Sequence, residues 1–174
     1  EGLAAKSVNS TLQAMRALDI DQITSPEDAK RLATAMGVDG IILGSITAWD
    51  PYDPPKLGLA LALYVVPGHL EQGRDGLDPR SLEMSYSDYS YFRPTTTYTD
   101  APDSVVTLHL DASRHDTLLA LQQFASGRHD ADTALGWEVY VKSMDRYAEF
   151  AAHRAVGLLL DAEWMRLSRA TSPR

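Results

Sequence analysis

The spacing of apolar positions changes along the chain, and each change marks an element. Leu3, Val8, Leu12, Met15 and Leu18 recur at roughly helical intervals, which predicts a first helix over about 3–17. Ile20 and Ile23 then fall in a short link or strand. Ser25 suits an N-cap, Pro26 the first helical position, and Asp28 lies three residues after the cap. Ala29, Leu32, Ala33 and Met36 form one apolar stripe, and Gly37 suits the left-handed residue that stops a helix.

Past Gly37 the period becomes that of a strand. Residues 41–49, Ile-Ile-Leu-Gly-Ser-Ile-Thr-Ala-Trp, are β-branched and nearly all apolar, as a central strand should be. Asp50 to Pro55 carries three prolines and reads as a turn. In the second strand, over 56–66, Leu57, Leu59, Leu61, Leu63 and Val65 share one face, and Gly58, Ala60, Ala62 and Tyr64 share the other. The two runs predict a hairpin whose large face meets helices.

From about 67 to 104 the periodicity fades into an irregular insertion containing Tyr86, Tyr89, Tyr91, Phe92 and Tyr98. Val105 to Leu110 restores a strand with Val106, Leu108 and Leu110 inward. Ser113 is expected to cap the next helix, with Asp116 at its third position and an apolar side from Leu118 to Ala125. The last element is the longest. Trp137, Val141, Met144, Ala148, Ala151, Ala155, Leu158, Ala162 and Met165 alternate four and three apart, predicting a helix over about 134–168. Such a helix would run roughly 50 Å, and so should bend near Gly157 or project. Packing against its own sheet is preferred to a homo-oligomer through this helix, because so many seam alanines bury little surface. The fold class is thus α+β: one domain over 1–174, with a small, mostly antiparallel sheet of three or four strands and helices on one face.

Charge narrows the partners. The chain carries 24 acidic against 16 basic residues, a formal net charge of −8. That balance argues against nucleic acid, which needs clustered Lys and Arg, and against an anionic membrane surface. No apolar run is long enough to span a bilayer. Cysteine is absent, which removes disulfides, thiolate nucleophiles and Cys-ligated metals from consideration. Residues 1–6 have neither the basic start nor the apolar stretch of a signal peptide. They read as a helix already under way, in the downstream part of a longer precursor.

Candidate chemistry is sparse. There is no HExxH, no GxSxG and no phosphate loop. His109 and Asp111 share one face of a strand and His115 opens the next helix, so these three are the best metal-ligand candidates. A metal-dependent hydrolase is accordingly an alternative. Helix capping by Asp116 and an outward His109 account for the same residues without chemistry. The acid pairs Asp19 with Asp21 and Asp161 with Glu163 are expected in solvent. Neither an enzyme nor a cofactor is expected. Tyr86, Tyr89, Tyr91, Phe92 and Tyr98 could supply amphipathic contact area for a protein or a glycan, peptidoglycan included. Folding of those rings back onto the sheet is the competing reading.

Residues 35–47, Ala-Met-Gly-Val-Asp-Gly-Ile-Ile-Leu-Gly-Ser-Ile-Thr, end a helix in Gly and open an apolar strand broken by one Gly. This resembles the small α+β module of bacterial envelope proteins: the penicillin-binding-protein activator lipoproteins, the curli-secretion lipoprotein and the amino-terminal domain of TolB. The likeness is specific over about 25–66, and the strand running into Asp111-Ala112 resembles a later element of that group. The insertion and the terminal helix have no counterpart in it. The resemblance implies a non-catalytic periplasmic module, outer-membrane associated, tethered by a lipid on an upstream Cys and acting as a scaffold or regulator of an envelope protein.

Overall fold

The computed structural model describes residues 3–66, 101–128 and 134–171. Its elements are α1 (Val8–Ala17), α2 (Pro26–Met36), β1 (Gly40–Asp50), β2 (Lys56–Val65), β3 (Ser104–Asp111), α3 (His115–Ala125), α4 (Val139–Lys142) and α5 (Met144–Thr171). The strands form an antiparallel sheet in the order β1-β2-β3. The fold is α+β with a long C-terminal helix. The described residues gather into two compact units, 3–42 with 63–66 and 101–103, and 43–62 with 104–128 and 134–171.

In the first unit α1 packs on α2. Ser7 caps α1, its hydroxyl accepting from the Ser10 N–H at 3.2 Å, so the helix begins five residues later than the apolar spacing predicts. At the far end the Ile20 N–H reaches back to the Met15 carbonyl at 2.9 Å, and Asp19 takes the left-handed conformation (φ 56). A short polar side chain tolerates that geometry. The same closure ends α2, with Gly37 at φ 60 and the Val38 N–H on the Ala33 carbonyl. Its start is as expected: the Ser25 hydroxyl accepts from the Asp28 N–H and Pro26 occupies the first turn. Ala29, Leu32 and Ala33 are fully buried, whereas α1 buries no residue completely.

The second unit holds the larger core, and α5 lies on β3. Val106, Leu108 and Leu110 are buried on the strand, alternating with half-buried or exposed neighbours as predicted. On α5 the buried face is Tyr147, Phe150, Ala151, Ala155, Leu159 and Glu163. It overlaps the predicted heptad seam at Ala151 and Ala155 only and drifts away from it elsewhere, as a 3.6-residue helix must against a 3.5-residue repeat. Phe124 of α3 stacks at 5.6 Å on Phe150 and edge-on at 5.7 Å on Tyr140 of α4.

Three expectations need correction. Among the described strands β1 lies at the edge and not in the centre; β2, with its small Gly58, takes the centre. A Cβ on Gly58 would lie 2.4 Å from Thr47 Oγ1 and 3.0 Å from the Ala48 nitrogen, so only glycine allows β1 to come this close. The terminal helix is not continuous from 134: a 3-10 turn at Gly136–Glu138 leads into α4, and Ser143 in extended conformation (φ −115, ψ 115) separates α4 from α5. No break falls at Gly157, which lies inside α5. Ser113 does not cap α3, because its hydroxyl donates to Asp111 at 2.7 Å instead; Arg114 occupies the cap position without a side-chain bond.

Phe150 joins the aromatic cluster to the α5–β3 packing, so Phe150→Ala should cost about 3–5 kcal/mol, where Ser25→Ala at the α2 cap should cost about 1 kcal/mol. Denaturant unfolding of both variants checks the ranking.

Candidate functional site

The candidate metal ligands are not brought together. His109 faces outward on β3 and is exposed, and Asp111 is engaged elsewhere. Among the described residues no group of three or more His, Asp or Glu side chains is placed to hold a metal. The tyrosine-rich segment, with Tyr86, Tyr89, Tyr91, Phe92 and Tyr98, lies outside the described residues. Among the described residues no helix is long and apolar enough to cross a membrane.

Asp111 anchors the end of β3. Its Oδ1 accepts from the Ser113 hydroxyl at 2.7 Å and from the Ser113 N–H at 2.9 Å, and Lys56 Nζ of β2 lies 3.1 Å from its Oδ2. The Ser113 bonds first, and then Lys56, hold its pKa down at about 2. Behind this turn, the Ala112 N–H donates to the carbonyl of buried Pro55 at 3.0 Å, which fastens the hairpin turn to the end of β3. Tyr147 is fully buried, and its hydroxyl has no hydrogen-bond partner among the described residues. Burial pushes its pKa well above the usual phenol range, and the negative charge of Asp111 adds to the shift. These groups have the character of structural anchors: the carboxylate is saturated by donors and cannot readily take a proton near neutrality.

Glu163 is the charge that sequence reasoning misplaced. Expected in solvent, it is 4% exposed on the inner face of α5. Its Oε2 accepts from the Ser104 hydroxyl at 2.7 Å, and Arg166 grips both oxygens at 2.6 and 2.8 Å. The i, i+3 spacing of Glu163 and Arg166 was the available signal. The need for Ser104, fifty-nine positions away in sequence, was not visible.

Among the described residues, the edge of the sheet at β1 is left open. Along β1, Ile46 is 61% and Trp49 51% exposed, and Ser45 and Thr47 on either side of Ile46 are exposed as well. No charged residue occurs from Gly40 to Trp49, nor any proline or lysine of the kind that normally blunts an edge. This is an unguarded strand of β-branched and aromatic residues, suited chemically to pairing with another strand. Its apolar composition was plain in the sequence; its edge position was not. No family model, curated protein or solved structure matches the chain.

Two substitutions test the anchor cluster. Tyr147→Phe removes a buried hydroxyl that bonds to none of the described residues, so stability should hold or rise by up to about 1 kcal/mol; a comparable loss would show the hydroxyl to be partnered. For Asp111 the folded pKa lies below the unfolded value of about 3.9, so its contribution is full above pH 4 and disappears as pH falls toward 2. Asp111→Asn should flatten the stability profile across that window by about 1 kcal/mol, allowing for partial solvent screening. Denaturation midpoints at pH 2.5, 4 and 7 read the difference.

Proposed function

We propose that the chain is a non-catalytic, lipoprotein-type module of the bacterial cell envelope, periplasmic and outer-membrane associated, that works as a scaffold or regulator by binding protein. The observation that carries the binding role is β1. An exposed edge strand with no charge between Gly40 and Trp49 offers backbone donors and acceptors beside Ile46 and Trp49, the arrangement that strand addition uses. The envelope assignment is supported by the resemblance of residues 35–47 to the activator, curli-secretion and TolB modules. The acidic net charge of −8 favours a protein partner over nucleic acid.

A photo-reactive residue at position 45, at the middle of the exposed run of β1, tests this in the cells of origin. Adducts with an envelope protein, recovered in the membrane fraction and lost when Ile46→Lys charges the edge, are the expected result. Adducts confined to cytosolic proteins, or none at all, would remove the proposal.

A further inference from the structure

We draw no further inference here: the strongest candidate, the apolar sheet edge at β1 with its exposed Ile46 and Trp49, belongs to the site already described, and nothing in the structure shows what covers it.

Discussion

The second unit depends on one contact, the packing of α5 on β3. The strand contributes Val106, Leu108 and Leu110; the helix contributes Tyr147, Phe150, Ala151, Ala155 and Leu159, all of them buried. Each large side chain taken out of water stabilises the fold by about 1.5–3 kcal/mol. The alanines bury less and do something different. They let the helix axis approach the strand, while the rings of Tyr147 and Phe150, three residues apart on the same helix, lie 5.9 Å from each other. Phe124 of α3 packs on Phe150, and Tyr140 of α4 packs in turn on Phe124.

Much of this was legible because local physics decided it. The Ser-Pro start and Gly stop of α2 and the inward residues of β3 are as the residues predict. So is the alternation of β2 from Leu61 to Val65, though Leu59 is only half-buried and Gly58 is buried. Those signals act within one helical turn or one strand repeat, and nothing in the tertiary structure opposes them. Where the sequence misled, a competing local partner was the cause. Ser113 can cap a helix or close the turn at Asp111, and Asp111, with Lys56 beside it, holds the hydroxyl. Ser7 and Asp19 trim α1 at both ends by the same kind of local bond.

Position in the sheet was the harder problem. An apolar, β-branched run such as residues 41–49 is the usual mark of a central strand, and periodicity cannot say whether its second edge is filled. Gly58 held the answer in part. A residue without a side chain on β2 admits the Thr47 side chain to the space where a Cβ would be, and this draws β1 in as the outer neighbour of β2. The edge site thus follows from a pairing between strands, and no single segment records it. The same holds for Glu163, whose burial depends on Ser104 and Arg166 together.

Glu163 has one more consequence. Apolar packing between a helix and a strand is tolerant of sliding, because neighbouring turns of α5 present similar Leu and Ala side chains. A carboxylate in the same layer is not tolerant. Moved by one turn, about 5.4 Å, it would leave Ser104 and stand unsolvated against Val106. A single acid at the edge of the core therefore acts as a detent: it adds little to the strength of the α5–β3 contact, yet it lets the helix seat in one place along the strand.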